Sequence, residues 1–227
     1  MNSAPMIFEL LQTIPLPALS EYSYPDAKIF SRKLDQQLGL EIEQVEKKIL
    51  LNDPHTPWAG LEPQALQTPY PEIRMMLSIL DLKVGQTIVD LGAAYGRMGL
   101  VIAVFHEGVD FIGYEVSKER VQEGNRVYDQ FHASHSVSNA KSIQLLQDDI
   151  SHTRWNLPDA DVFFIYDFGD LESIIRVIDR LKKLATRKSI RVVGRGRRTR
   201  DHIERHEPWL SQVNSPLHCG NFSVYRS

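Results

Sequence analysis

The sequence of 227 residues contains a single cysteine, Cys219, so no internal disulfide can form and neither a thiolate metal site nor a paired redox motif is available. Cys219 follows His218, and such a pair could provide a nucleophile. A buried structural thiol beside a C-terminal strand is the favoured interpretation. We therefore expect no disulfide framework and no metal site.

Long apolar runs are also absent. No stretch reaches the roughly 18 to 20 uninterrupted apolar residues that a membrane helix requires, and the N-terminus lacks the basic-then-apolar order of a secretory signal. Hydrophobic residues make up 42% of the chain and charged residues 24%, which is typical of a globular protein with one full core. We expect a cytoplasmic protein, and the net charge of -3 says little about its partners.

The composition changes near residue 65. Before it, residues 8–11 and 34–51 have helix-like apolar spacing, and several prolines interrupt regular structure around them. We predict a helical N-terminal arm over residues 1–65 that covers one end of the core, in preference to a separate binding module. Residues 66–227 would form the main domain.

From Pro71 onward, helix and strand patterns alternate. Residues 72–80 read as an amphipathic helix, 83–86 as a turn, and Thr87–Leu91 as a strand. Further strands are predicted over residues 111–114, 143–146, 162–166 and 190–193. This pattern predicts an α/β fold with a doubly wound, mostly parallel sheet and helices on both faces. Residues 209–213 and 222–225, joined by 214–216, would form an antiparallel hairpin at the C-terminal edge.

The turn after the strand Thr87–Leu91 reads "GAAYGR" and contains Gly92, Ala94 and Gly96. In a doubly wound sheet, ligands bind at the carboxyl ends of the strands, and small residues let a ligand approach the backbone. The dinucleotide fingerprint G-x-G-x-x-G lacks its middle glycine here. Taken alone, the turn fits either a nucleotide site or a tight connection.

Acidic residues end the next two strands. Glu115 lies about 20 residues after the turn, where related folds hold a carboxylate for the ribose hydroxyls; its alternative role is to cap a helix that starts near Ser117. Asp148 and Asp149 follow the next strand and could accept a hydrogen bond from an adenine amine. We favour Asp149, because the adjacent Ile150 could pack on the base.

These motifs together resemble a known family. "TIVDLGAAYGR", "GYE", "LLQDDI" and "DVFFIYDFG" are similar to the ordered motif set of class I S-adenosylmethionine-dependent methyltransferases, over about residues 68–227. Tyr70 with Pro71, Gly96 with Arg97, and the "VVGR" strand end further resemble seven-strand lysine methyltransferases of the mitochondrial ATP-synthase c-subunit type and, more distantly, of the histone type without a SET domain. The family's glycine at position 94 is Ala94 here, which narrows the turn by one methyl group.

The resemblance implies a Rossmann-like fold with S-adenosylmethionine as the cofactor, and it gives cofactor-binding roles to nine residues. Glu115 would bind the ribose, and Asp149 with Ile150 the adenine. Asp90 would hold the turn or reach the amino-acid end of the cofactor through water. The residues around the methionine part would be Thr68, Tyr70, Gly92, Ala94 and Gly96.

The strand end "FFIYDFGD" would carry the chemistry. Asp167 would orient an incoming amine and take or relay its proton, and Tyr166 or Phe168 would form a wall of the acceptor channel. Alternatively, Asp167 or Asp170 caps a helix, with Asp170 the better candidate for a cap. The Asn/Asp-Pro-Pro-aromatic tetrad of adenine-N6 and glutamine methyltransferases is absent. This absence disfavours adenine-N6 and glutamine acceptors. The resemblance to lysine methyltransferases implies a protein lysine as the preferred acceptor, and RNA or a small molecule is the alternative.

Basic residues concentrate between positions 180 and 205, where the sequence contains eleven lysines and arginines and only two acidic residues. Arg195, Arg197 and Arg198 follow the fifth strand, so they would form a basic rim for an acidic partner, either protein or RNA. A solvated helix face is the alternative and is preferred for Lys182 and Lys183. No aromatic residues alternate with these charges, which disfavours single-stranded nucleic acid.

Two other functions use the same fold. A nicotinamide-dependent oxidoreductase is disfavoured by the glycine spacing and by the lack of a Tyr-x-x-x-Lys pair. A noncatalytic nucleic-acid-binding relic would explain Ala94 and the basic residues. The presence of Glu115, Asp149 and Asp167 together argues against that relic.

Overall fold

A computed structural model of the chain describes residues 7–56, 58–134 and 138–227. Its seven strands form one sheet with the order β3-β2-β1-β4-β5-β7-β6. The strands are β1 Thr87–Leu91, β2 Asp110–Glu115, β3 Ser142–Gln147, β4 Val162–Tyr166, β5 Arg191–Arg195, β6 Leu217–Cys219 and β7 Phe222–Arg226. The α-helices in these ranges are α1 Ile7–Gln12, α2 Tyr24–Gln37, α3 Ile42–Asn52, α4 Tyr70–Leu80, α5 Arg97–Phe105, α6 Lys118–Ser134, α7 Leu171–Ala185, α8 Arg197–His206 and α9 Pro208–Ser211.

The first five strands are parallel, and β7 runs antiparallel to both of its neighbours, β5 and β6. The central strands β1 and β4 are buried nearly throughout, as expected for apolar strands with helices on both faces. The predicted fold, including its antiparallel edge hairpin, is confirmed. Strand order reverses between β1 and β4, and ligands of doubly wound sheets bind at such a switch point.

The edge hairpin lies further along the chain than predicted. Residues 208–211 form α9, which begins with a proline at its first helical position, where proline is favoured. The first strand of the hairpin is β6, and the chain reverses at Gly220 and Asn221, with Gly220 at φ 66°. Glycine adopts this left-handed conformation at little cost, which permits the reversal at this position. The prediction of a strand over residues 209–213 was wrong, because the helix α9 occupies most of this range.

In the N-terminal arm, α1 packs on α5 and α6, α3 packs on α6, and α2 packs on α4. The apolar pattern over residues 34–51 belongs to two helices, because Gly39 takes φ 68° and the Leu40 N–H donates to the Asp35 carbonyl, which ends α2. Leu34, Ile42 and Ile49 are nevertheless all buried, since both helices turn their apolar faces inward. The boundary at residue 65 stays a prediction.

Two hydrophobic clusters cover the two faces of the sheet. One joins the sheet to the arm, α4, α5 and α6, and it contains Cys219 as the buried thiol expected from the sequence. The other joins the sheet to α7, α8 and α9. Among the described residues, no helix is long and apolar enough to cross a membrane; the cytoplasmic location stays a prediction.

Candidate functional site at the carboxyl edge of the sheet

The turn after β1 is held against the end of β2. Gly92, Ala94 and Gly96 all have positive φ, at 97°, 48° and 74°. The N–H groups of Gly92 and Ala93 donate to the Tyr114 carbonyl at 3.0 and 2.8 Å, and that of Ala94 donates to the Glu115 carboxylate at 3.0 Å. Left-handed conformation is costly for alanine, so Ala94 is held there by its surroundings.

The glycines of this turn have packing partners within the protein. A Cβ on Gly92 would lie 3.2 Å from the Phe168 Cβ, and one on Gly96 would lie 2.4 Å from the Tyr128 hydroxyl oxygen. Tyr128 donates this hydroxyl to the Gly96 carbonyl at 2.6 Å. The space at Gly96, predicted to line the methionine part of a cofactor, is therefore used by Tyr128.

Asp90 lies at the same edge, near the end of β1, and is buried. Its Oδ1 has no hydrogen-bond partner among the described residues. Burial and the nearby negative charge of Glu115 raise the pKa of Asp90 to about 8. A buried carboxyl oxygen without a partner costs stability, so this position is suited to a ligand that supplies the missing bond.

Glu115 ends β2 and is also buried. Its Oε1 accepts from the Ser117 N–H at 2.9 Å, its Oε2 accepts from Ala94, and Arg120 Nη1 lies 3.6 Å from Oε1. Each carboxylate oxygen has two lone pairs. One acceptor position on each therefore remains for a ligand, and both weighed roles of Glu115, ribose binding and capping near Ser117, are compatible with this geometry.

At the ends of β2 and β3 lies a cleft of about 500 Å³, here called the Tyr114 cleft. Tyr114, Asp148, Asp149 and Trp155 line it, and the rings of Tyr114 and Trp155 meet edge to face at 5.3 Å. Asp149 is exposed and accepts from the backbone and hydroxyl of Ser151. The placement of Ile150 needs correction: it packs in the core, so Tyr114 and Trp155 supply the apolar surface of the cleft.

Thr68 and Tyr70, predicted near the methionine part, are fixed to the start of α5 by Arg97. Arg97 donates to the Thr68 carbonyl at 3.2 Å, and its guanidinium lies 5.0 Å from the Tyr70 ring centre. The same guanidinium forms a buried ion pair with Asp35 of α2 and donates to the Gln64 side-chain oxygen at 2.8 Å. This segment therefore connects the arm to the turn after β1.

A second cleft of about 510 Å³, the Tyr166 cleft, opens at the carboxyl ends of β4 and β5. Its lining includes Tyr24, Tyr166, Asp201 and Glu204. The Tyr166 hydroxyl donates to the Ala65 carbonyl at 3.1 Å, which leaves the ring as part of the cleft surface. The cleft thus combines two aromatic rings and two carboxylates with the guanidinium groups of Arg195, Arg197 and Arg200.

Arg195 stands at the base of the Tyr166 cleft, and its predicted place in a basic rim is wrong. It is only 4% exposed and donates to Glu72 of α4 at 2.7 and 3.3 Å. Its guanidinium lies 4.1 Å from the Tyr166 ring centre and 5.8 Å from that of Tyr24. Burial would lower the pKa of Arg195, but the hydrogen bond and charge of Glu72 outweigh it and raise that pKa. Its charge is therefore compensated within the protein.

The other two arginines of the predicted rim differ from each other. Arg198 donates to the carbonyls of Gly169 and Asp167, both at 3.1 Å, and so fastens the loop after β4. Arg197 is 90% exposed and pairs with Asp201 at 3.3 Å. Of the three, Arg195 alone is buried; Arg198 is about half exposed and bound to the loop after β4, and Arg197 is the most exposed.

Asp167, predicted to orient an amine, instead holds the first turn of α8. Its Oδ1 accepts from the Thr199 N–H and hydroxyl at 2.8 and 2.9 Å, and its Oδ2 accepts from the Arg198 N–H at 3.1 Å. This is the capping alternative, and it leaves Asp167 poorly placed to act on an acceptor. Asp170 caps α7 through the Ser173 N–H at 2.7 Å, as predicted.

Sequence reasoning missed a buried group at the start of α6. Arg120 donates to both carboxylate oxygens of Glu46 of α3, at 2.7 and 3.0 Å, and Glu46 also accepts from the Tyr95 hydroxyl at 2.8 Å. Trp58 lies over the Arg120 guanidinium at 4.4 Å. The available signal was Glu46 on the apolar face of α3, between Ile42 and Ile49, where an unpaired carboxylate would be costly.

No protein-family model and no curated protein matches the sequence. The fold is similar to that of the magnesium protoporphyrin IX methyltransferase from Synechocystis PCC 6803, solved with bound S-adenosylmethionine: the TM-score is 0.53 at 13% identity, covering 88% of this chain and 96% of that chain. An RNA methyltransferase from Salinibacter ruber, solved with S-adenosyl-L-homocysteine, is 17% identical over 70% of this chain and 91% of its own, with a TM-score of 0.48. A SAM-dependent methyltransferase from Aquifex aeolicus is 13% identical, with a TM-score of 0.49; the match covers 82% of this chain and 97% of that chain. The first similarity shows that the chain has the Rossmann-like fold of class I methyltransferases.

Proposed function

We propose that the protein is an S-adenosylmethionine-dependent methyltransferase. The observation that carries the proposal is the pair of buried carboxyl groups at the switch point of the sheet, where Asp90 has an oxygen without a partner and Glu115 retains acceptor positions. A cationic amino group and a ribose diol are the ligand groups that suit such a pair. S-adenosylmethionine carries both.

The described residues fit this cofactor. Asp90 would meet its amino-acid end, Gly92 and Ala94 would lie along the methionine part, and Glu115 would accept from the ribose. The Tyr114 cleft, with Asp149 at its edge, would take the adenine. When bound, the cofactor supplies an electrophilic methyl group on a sulfonium centre, and the protein's own contribution is to align the acceptor and exclude water.

The preferred acceptor is a protein lysine amine, taken into the Tyr166 cleft. The rings of Tyr24 and Tyr166 can enclose an alkyl chain with a cationic end, since aromatic faces attract cations. Asp201 and Glu204 add negative charge to the cleft, and Arg195, Arg197 and Arg200 oppose it. The attacking amine must be neutral. The rings and carboxylates attract its cationic form, whereas desolvation in the cleft lowers the pKa of the amine and favours loss of its proton to solvent before transfer. Lysine methylation is accordingly the finer part of the proposal.

The partner is proposed to be a protein with acidic residues near the target lysine. Arg197, exposed at the mouth of the Tyr166 cleft, is the contact that supports this choice. Arg197 and Arg200 line the same cleft as Asp201 and Glu204, so its charge is compatible with a protein partner or with the phosphates of RNA. RNA and small-molecule acceptors are therefore outcomes to be separated by experiment.

Calorimetric titration tests the cofactor. We expect the protein to bind S-adenosylmethionine and S-adenosylhomocysteine with micromolar affinity and not to bind NADH. Glu115→Ala should weaken binding at least tenfold, since a ribose contact to a charged group is lost. The control Glu119→Ala changes a nearby carboxylate whose contact is to Ser117, and its affinity should be unchanged.

The outcomes separate the alternatives. Binding of NADH alone would indicate an oxidoreductase, and binding of none of the three ligands would indicate a noncatalytic protein. Unchanged affinity in Glu115→Ala would show that the ribose is bound elsewhere. Transfer of labelled methyl groups to cell extract, followed by protease or ribonuclease digestion, then identifies the acceptor: label lost with protease supports lysine, and label lost with ribonuclease contradicts it.

A further inference from the structure

Arg120 links Trp58 of the arm to Glu115 at the proposed cofactor-binding edge of the sheet. The Arg120 guanidinium contacts the Trp58 ring at 4.4 Å, and its Nη1 lies 3.6 Å from the Glu115 carboxylate. Glu46 holds the same guanidinium by two hydrogen bonds. Trp58 and Glu115 are therefore separated by the breadth of one side chain, although they are far apart in sequence.

Polar atoms without partners concentrate in this part of the arm. The hydroxyl of Thr56, the indole Nε1 of Trp58 and the side-chain nitrogen of Gln67 are buried and have no hydrogen-bond partner among the described residues. Thr56 and Gln67 are each more than nine-tenths buried. Buried polar groups are almost always hydrogen-bonded, so three such atoms within 12 residues point to a ligand.

We infer that the arm completes the cofactor site, with the Trp58 indole N–H donating a hydrogen bond to the adenosyl part of the cofactor and the Thr56 hydroxyl bonding beside it. This inference rests on the proposed function. Arg120 is the positioning residue: its two bonds to Glu46 fix the guanidinium on which the indole stacks, and its charge faces Glu115. The adenosyl group would then be held from the sheet by Glu115 and from the arm by Trp58.

Trp58→Phe removes the indole N–H together with the five-membered ring, and it keeps a six-membered aromatic ring over Arg120. Titration of the full-length protein with S-adenosylhomocysteine should give a Kd about five- to tenfold higher than in the wild type, as expected for one hydrogen bond. The lost N–H has no partner in the protein, so the ligand-free variant should lose stability only through the packing of the smaller ring.

Trp209→Phe is the matched control. Trp209 donates its N–H to Glu207 at 2.6 Å, away from both clefts. This variant should lose more stability than Trp58→Phe and keep the wild-type Kd. Thr56→Val, a change that keeps the side-chain shape, provides a second variant and should also raise the Kd without destabilising the ligand-free protein.

Three results decide the inference. Weaker binding in Trp58→Phe and Thr56→Val, with a smaller loss of stability in Trp58→Phe than in Trp209→Phe, supports it. Equal Kd values in the wild type, Trp58→Phe and Thr56→Val would overturn it while leaving the proposed function intact. A wild-type protein that does not bind S-adenosylhomocysteine would overturn the proposed function itself.

Discussion

Replacing Asp90 by asparagine removes a carboxyl group that folding buries beside Glu115. The pKa of Asp90 rises from an ordinary value of 3.8 to about 8 in the folded protein. Between these two values the unfolded chain is ionised at this position and the folded chain keeps its proton. The folded state therefore binds more protons, and the free energy of unfolding must fall as pH rises through this window.

The magnitude follows from the size of the shift. Each pKa unit corresponds to about 1.4 kcal/mol, so a shift of about four units removes on the order of 5 kcal/mol of stability between pH 4 and pH 8. Below pH 4 both states hold the proton, and above pH 8 neither does, so the slope should vanish at both ends. Asp90→Asn cannot ionise and should lack this component entirely.

Urea unfolding at pH 5, 6, 7 and 8 measures the effect. As the pH rises, the unfolding free energy of Asp90→Asn should increase relative to that of the wild type, by up to about 1.4 kcal/mol per pH unit. Comparing the two proteins cancels other titrating groups such as His106, whose burial lowers its pKa. Asp149→Asn, at an exposed position, should show the wild-type slope. Equal slopes for Asp90→Asn and the wild type would refute the reasoning.

Three further changes test other parts of the structure. Ala94→Gly should stabilise the protein by up to about 1 kcal/mol in urea unfolding, because glycine relieves the left-handed conformation at φ 48°; a loss of stability would contradict this. Asp167→Ala should lower the free energy of unfolding by about 1–2 kcal/mol, because α8 loses its cap. The rate of labelled-methyl transfer by the folded variant should change less than tenfold. A hundredfold loss of that rate would show that Asp167 takes part in the reaction. Asp35→Asn should lower the free energy of unfolding by about 3–5 kcal/mol, because Arg97 is left buried without its ion pair. A melting temperature within about 2 °C of the wild type, which corresponds to roughly 1 kcal/mol at this chain length, would contradict this expectation.

Local apolar patterns were sufficient to predict the central sheet. The bounds of β1 and β4 agree with the prediction, because both are short apolar runs bounded by turn residues and buried on both faces. The hairpin was misplaced for an equally local reason. The apolar residues after Pro208 begin a helical turn, and the useful signal was the Gly220-Asn221 pair, which permits a two-residue reversal.

Side-chain partners distant in sequence were beyond such patterns. A count of charges placed Arg195 in a basic rim, whereas its partner Glu72 lies 123 residues earlier in the chain. Asp167 follows a strand at the ligand edge, as a catalytic residue would, but α8 begins beside it and takes both of its oxygens. The sequence locates residues along a strand edge, and only the packed structure decides which of them remain available to a ligand.

The buried ion pairs of the arm also bear on how the chain acquires its structure during synthesis. Asp35 and Glu46 leave the ribosome first, but their partners Arg97 and Arg120 follow 62 and 74 residues later. Contacts between such distant residues require costly loop closure and form slowly. The apolar face of the nascent arm, which includes Leu11 and Leu34, therefore stays exposed until α5 and α6 have been synthesised. Translation of the first half of the chain is thus the interval in which this protein is most exposed to aggregation and to capture by chaperones.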